Sequence, residues 1–234
     1  MSAGLNNLFT ARRLRWFAAA IVLVNGFFPA VWIFFTSLKN EVELTAKPIT
    51  YFPHNPVLAN YIAAFRDQPL ASYLMNSAIV AIGSMILSLT ISAMAAYAIA
   101  RLNLKRRNLI LTTIIAVSMF PLVTLMVPLF EIMRGLNLLN SYIALILPYT
   151  VLNLPICTLV LVSFFQDIPR DIENAAMIDG CTRLGALRRV VVPLAAPGVF
   201  TAGILAFVNS WDEFLLSMSM NAAVAYRTLP VGIQ

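Results

Sequence analysis

The chain has 234 residues, 60% of them apolar and 11% charged, where a soluble globular domain carries roughly 45–50% and roughly 25%. A protein of this size cannot hide so much apolar side chain from water, so a water-soluble enzyme, a disordered chain and a disulfide-stapled secreted domain are excluded; this is an integral membrane protein. The net charge of +6 would point to nucleic acid only if the basic residues formed one patch, and they lie instead in short clusters between apolar runs.

A helix needs about 20 apolar residues to cross the roughly 30 Å hydrocarbon core. Arg12, Arg13 and Arg15 precede a charge-free run that ends at Lys39, which predicts a first span over 16–38. A signal peptide would also begin this way, but its apolar core is only about 7–15 residues long and is followed by a small-residue cleavage site, so the run is read as a helix. The next charge-free stretch predicts a second span over 71–100, long enough to tilt. A third is predicted over 108–130, a fourth over 141–166 and a fifth over 198–220. Between the fourth and fifth lies a polar loop, 167–197.

Alternate loops hold eleven basic residues against five on the opposite side, while the loop acids divide four and four. The basic excess marks the cytoplasmic side, so the N-terminus and the 167–197 loop are expected there. Cys157 falls in an apolar run and Cys181 in a basic loop, giving neither a disulfide framework nor a metal set.

Within the second span Ser84, Ser88, Ser92, Ala96 and Ala100 recur every fourth residue. In lipid, where apolar surface gives no drive to association, such a stripe lets helices approach closely; a hydroxyl-lined pathway is the alternative. Pro121 and Pro128 interrupt the third span and Pro148 and Pro155 the fourth. Each removes a backbone hydrogen bond and favours a kink.

Asp212 and Glu213 are the acids inside a predicted span. Each costs roughly 2.5–3.5 kcal/mol at the bilayer centre, and the surrounding Val, Ile, Leu and Phe residues each return only roughly 0.3–0.6 kcal/mol. This helix therefore needs protein neighbours or a wet cavity. With Asn209 and Trp211 the acids either line a polar pathway or form a structural polar cluster.

In the loop, Pro169 suits a helix start and Asp171 and Glu173 favour the dipole of its first turn. Ile172, Ala175 and Ala176 share one mostly small face. Gly180 is expected to end this helix in the left-handed conformation, and Thr182 to cap a second short helix that carries Arg188 and Arg189 and stops before Pro193. The prediction is a helix–turn–helix elbow, too polar for lipid, and a loop of about 30 residues in a compact bundle is usually functional.

The run Asn174-Ala175-Ala176-Met177-Ile178-Asp179-Gly180, followed by Val192-Pro193 and Pro197-Gly198, resembles the E-A-A-x-x-D-G coupling motif of ABC import permeases. Asn76-Ser77, Ala95-Ala96-Tyr97-Ala98-Ile99-Ala100-Arg101, Trp211-Asp212-Glu213-Phe214-Leu215-Leu216 and Thr228-Leu229-Pro230-Val231-Gly232 are similar to further segments of the carbohydrate-importer branch, related to the maltose and trehalose permeases. The resemblance implies an all-α helical bundle in the bacterial or archaeal cytoplasmic membrane. It implies a second permease subunit, an ATPase dimer that binds ATP and magnesium, and an extracytoplasmic sugar-binding protein as partners. It places ATPase coupling on Asn174, Ala175, Ala176, Asp179 and Gly180. Two departures stand out. Asn174 occupies the motif's glutamate position, with Glu173 one place earlier. The family's sixth helix, which follows the threonine–leucine–proline segment, has no counterpart, so the chain is read as truncated.

No ATP site is expected in the chain itself. Gly180 and Gly185 have the spacing of a phosphate loop, but Ala186-Leu187 stand where Lys-Ser/Thr would be needed. The competing class is an ion-gradient transporter with Asp212 or Glu213 as proton relay, which would bring repeated halves with matching broken helices. An intramembrane hydrolase lacks a nucleophile–base pair, because the single histidine, His54, falls in an outer loop and reads as a surface residue. Tyr51, Phe52 and Tyr61 of that loop either meet an external protein or pack on the bundle.

Overall fold

A bilayer offers backbone groups no water, so a long apolar run satisfies its N–H and C=O groups within a helix. A computed structural model of the chain describes the backbone from residue 2 and the side chains from residue 15, and all of its regular structure among those residues is helical. Arg12 and Arg13, from the first basic cluster, lie outside the described side chains. Two compact units follow one another along the chain, residues 1–69 and 70–234.

The first unit contains α1 (Ser2–Ser37), α2 (Glu41–Thr45) and α3 (Ala59–Asp67). From residue 15 onward the apolar side chains of α1 are largely exposed, as expected of a lipid-facing rod. Lys39 follows its C-terminal end: the ammonium donates to the Thr50 carbonyl and lies 4.8 Å over the Trp32 ring. Tyr51 packs edge-on against Trp32 and Phe52 against Phe35, while Tyr61 shares a 2.6 Å hydrogen bond with Ser37. His54 is exposed beside Glu43, as its loop position suggested.

The second unit contains α4 (Leu70–Arg101), α5 (Arg107–Ser118), α6 (Leu122–Gly135), α7 (Ile143–Asp167), α8 (Arg170–Ile178) and α9 (Arg183–Ala186). After α9 come a π-helical turn (Leu187–Val191), α10 (Val192–Leu194), α11 (Ala196–Trp211), α12 (Leu215–Met220), a 3-10 turn and α13 (Leu229–Gly232). Its core is the mutual packing of α4, α7 and α11.

The α4 stripe is a packing seam: Ser84, Ser88, Ser92, Ala96 and Ala100 are all buried. Sequence reading overlooked a second stripe, Gly198, Ala202, Ala206 and Ser210 on α11, also every fourth residue and also buried, which faces α7 at Phe164, Cys157 and Asn153 and reaches the α4 stripe at Ser84. Small residues on both helices let the backbones approach, and Ser84 Oγ donates to Ser210 Oγ at 2.9 Å across the join.

Three expectations about the spans are corrected. The run 108–130 is not one rod: it breaks at Pro121 into α5 and α6, which diverge by 90°. Proline disfavours helical geometry in the residue before it, and Pro121 itself is extended at the start of α6. Pro128, Pro148 and Pro155, by contrast, sit inside continuous helices. The run 198–220 also breaks, at Asp212-Glu213-Phe214 between α11 and α12. Finally, the second elbow helix does not stop before Pro193; helical structure continues through Leu194 and then turns by 84° into α11. Arg183 to Leu194 is tied by the π turn, whose wider ring absorbs a proline that an α-helix would resist. Among the described residues three helices are long and apolar enough to cross a membrane, Arg15–Ser37, Leu70–Arg101 and Ile143–Asp167, and the two bent pairs bring the number to five if each is one span.

Residues at the α4 end remote from the elbow clamp the last part of the chain. Asn76 Nδ2 donates to the carbonyls of Ala225 and Arg227, both at 2.9 Å, and its Oδ1 accepts from Tyr142. Ser77 Oγ accepts the Leu229 N–H at 2.8 Å, and Thr228 bonds Ser217. The Asn76-Ser77 and Thr228-Leu229 motifs, 150 residues apart in sequence, thus meet through hydrogen bonds that satisfy the non-helical backbone.

Candidate functional site

Two places in the second unit gather polar chemistry: the elbow and a cavity. In the elbow, α8 ends as its glycine requires. Gly180 has φ +91, its N–H bonds the Met177 carbonyl and the Cys181 N–H bonds the Ala176 carbonyl, the paired bonds of a Schellman cap. Thr182 Oγ1 then accepts the Gly185 N–H at 3.1 Å and opens α9. Asn174, Ala175, Asp179 and Gly180 are exposed together and Ala176 is half-buried. Beside them Ile178 is 86% exposed, a large apolar side chain standing free at the knuckle.

Glu173 lies in the first turn of α8 as expected and does more than complement its dipole. It is buried, with Oε2 lying 3.2 Å from Arg101 Nε, and Tyr97 Oη donates to its Oε1. Arg101 also donates to the Ile168 carbonyl at 2.9 Å. The available signal was Tyr97 and Arg101 one helical turn apart, on the seam side of α4, at the elbow end.

The cavity holds about 300 Å³, within the size range of small-molecule sites, and is lined by Ser118, Phe120, Tyr149, Leu152, Asn153, Asn209, Ser210 and Glu213 among others. An adjoining hollow of about 380 Å³ shares Ser118, Phe120, Leu152 and Asn209. The α5–α6 break opens one wall, and the α11–α12 break supplies another. Of the four pathway candidates, Asn209 and Glu213 line the cavity; Trp211 and Asp212 are not in its wall. Trp211 stacks on Phe207 at 5.4 Å, and Asp212 is the exposed C-cap of α11.

Glu213 is held firmly. It accepts the Tyr149 hydroxyl at 2.6 Å and the N–H groups of Leu216 and Ser217 at 3.0–3.3 Å, so it neutralises the positive end of α12. The carboxylate is thereby compensated locally, which explains how the acid is tolerated at this depth. Asn153 links α7 to α11, donating to Ser210 Oγ at 2.9 Å and accepting from Asn209 Nδ2 at 3.4 Å. Tyr149, Asn153 and Ser210 are cavity residues that sequence reading missed: Tyr149 and Asn153 sit among the apolar residues of α7, and Ser210, though inside the 209–213 cluster, reads as one of the small residues of α11.

An all-helical bundle with broken helices around a polar cavity and a capped polar elbow between helices is the architecture of a membrane permease. Residues 88–230 match the family described as the binding-protein-dependent transport system inner membrane component, and the chain belongs to that family. Within it, the chain is a carbohydrate-uptake ABC permease related to the maltose and trehalose permeases.

It is 71% identical over 233 residues to the sulfoquinovosyl glycerol transport system permease protein SmoH of Agrobacterium fabrum, covering 100% of this chain and 82% of that one. It is 40% identical to the trehalose transport system permease protein SugB of Mycobacterium tuberculosis, covering 95% of this chain and 81% of the relative. It is also 33% identical to the trehalose/maltose permease MalG of Thermococcus litoralis, over 92% and 77% of the two chains. The fold matches a crystal structure of a bacterial ABC transporter involved in import of the acidic polysaccharide alginate. That match has a TM-score of 0.79 and 22% identity, and covers 94% of this chain and 78% of that one. The family membership sets aside the ion-gradient alternative and places the chain, multi-pass, in the inner membrane.

Proposed function

We propose that the chain forms one side of the solute pathway of an ATP-driven importer and that its solute is a small glycoside, with sulfoquinovosyl glycerol the first to test. The name and 71% identity of the Agrobacterium relative support that solute. The N-terminus and the elbow face the cytosol, in line with the eleven-to-five division of basic residues. An ATPase dimer holding ATP and magnesium docks on Asn174, Ala175, Ala176, Asp179 and Gly180; a second permease completes the pathway, and an external sugar-binding protein delivers the solute. The observation that carries the docking reading is the elbow tip, where Ile178 stands 86% exposed next to a left-handed glycine, an apolar anchor that a partner's groove would cover. Movement of the elbow as the ATPase closes would re-orient the spans as rigid bodies and open the cavity to the other side.

Asn209 and Glu213 face the passing solute. A cysteine at 209, in a chain with Cys157 and Cys181 replaced, is expected to react with a membrane-impermeant thiol reagent. Added sulfoquinovosyl glycerol at ten times its Kd should slow that labelling by about tenfold in the assembled importer. A cysteine there that resists the reagent throughout the ATP cycle, or reacts at a rate indifferent to solute, would remove this chain from the pathway.

A further inference from the structure

We infer that Glu173 is a positioning residue that joins the elbow to α4, so that the contact Glu173–Arg101–Tyr97 converts elbow movement into movement of the helix that bonds the cavity wall at Ser210. The inference rests on the ATPase-docking reading above and extends it inward.

Three observations support the joint. First, the acid lies on the helix that carries the docking residues yet points the other way: Glu173 is 6% exposed while Asn174 and Ala175, its neighbours, are in solvent. Second, everything Glu173 touches through charge or hydroxyl belongs to the last turn and a half of α4, since Arg101 Nε and Tyr97 Oη meet its two carboxylate oxygens. The same guanidinium holds the Ile168 carbonyl, so the elbow is fastened at its entry as well as inside its first helix. At its exit, Leu187 and Val191 of the π turn are buried in one core cluster with Tyr97, Ile99 and Ala100. The elbow is therefore bonded to α4 at its entry and shares one core cluster with it at its exit.

Third, α4 is a single uninterrupted helix from Arg101 back through Ser84, which bonds the cavity-wall residue Ser210. Ser84 lies about 26 Å along it, at 1.5 Å per residue, and there donates to Ser210, which also receives Asn153. Helices α5–α6 and α11–α12 both break near the cavity, whereas α4 does not. A rigid element fixed at one end to the elbow and at the other to the cavity wall can transmit displacement between them. A buried ion pair suits the elbow end because its charges tolerate only one register, whereas apolar contacts slide.

The test uses the complete complex in proteoliposomes: this chain, the second permease, the ATPase dimer and the external binding protein, with sulfoquinovosyl glycerol as the probe solute. Both solute uptake and phosphate release are read. Glu173→Gln keeps the shape and the acceptor for Tyr97 but leaves Arg101 without its charge. The ATPase should still co-purify and hydrolyse ATP, while solute moved per ATP falls at least about tenfold. An unchanged ratio overturns the inference, and so does loss of the ATPase from the complex, which would make Glu173 part of docking. The pair Arg101→Met with Glu173→Leu leaves no buried charge unpaired and so guards against simple misfolding. It should assemble yet stay uncoupled; full recovery of coupling would show that packing alone seats the elbow. The outcomes separate the two readings, because failure of docking itself removes ATPase and uptake together, as set out for Gly180 below.

Discussion

Gly180→Val is expected to abolish ATP-driven uptake, a loss of about a hundredfold or more, while the subunit still reaches the membrane. The reason is conformational and local. Gly180 has φ +91, and no atom lies within 4 Å of where a Cβ would be, so crowding is not the obstacle. The left-handed region costs an L-residue roughly 1–2 kcal/mol, and a β-branched side chain such as valine is a true outlier there. The cheaper response is for α8 to abandon its Schellman cap, freeing the carbonyls of Ala176 and Met177 and re-aiming Asp179 and Ile178. The spans, held by the α4–α7–α11 core, have no stake in that turn. Membrane levels measured by immunoblot should therefore be close to wild type while the ATPase no longer co-purifies. Normal uptake by this variant would refute the docking assignment.

Gly198→Ala is expected to act in the opposite way, on the bundle and not on coupling. A Cβ at 198 would stand 2.3 Å from Phe164 Cγ and 2.7 Å from its Cβ, atoms too near the α7 backbone to swing aside. Either α11 moves off α7 or the ring leaves its rotamer, and overpacking of this kind costs typically 1–3 kcal/mol. Since Gly198 heads the α11 stripe that faces α7, the displacement would loosen Ala202 and Ala206 as well. Thermal stability of the detergent-purified subunit should drop, and Phe164→Ala in the same chain should restore most of it by vacating the space. A Gly198→Ala subunit as stable as wild type would mean that α7 and α11 are less closely packed than described.

These two glycines illustrate what the sequence could and could not disclose. Gly180 was legible because a cap is a local device: the helical pattern ends, a glycine follows, and a threonine restarts the chain. The Ser84–Ala100 seam was legible for the same reason, as a period within one helix. Gly198 was not, since its importance depends on Phe164 from a different helix. The breaks at Pro121 and at 212–214 separate the same way. Proline announced the first, while nothing in the apolar count of 198–220 showed that Glu213 would cap a new helix and stop α11 short. Glu173 is legible as a first-turn acid of α8, but its partners Arg101 and Tyr97 are not, since they depend on where α4 lies. In the cavity, Asn209 and Glu213 emerged from one conspicuous polar cluster, whereas Tyr149 and Asn153, well inside an apolar helix that reads as a plain membrane span, required the neighbouring helix to show their role.

The central claim is that the elbow harnesses ATP hydrolysis on a separate subunit to move a glycoside through this bundle. It is tested most directly by sulfoquinovosyl glycerol uptake into proteoliposomes holding the complete complex, with ATP supplied on the elbow side and ion gradients collapsed. Residues 170–194 would be either native or replaced by a flexible linker of equal length. Uptake should require ATP, persist without any gradient, and vanish with the linker. Undiminished transport through the linker variant, or transport driven by a gradient with no ATP present, would contradict the account.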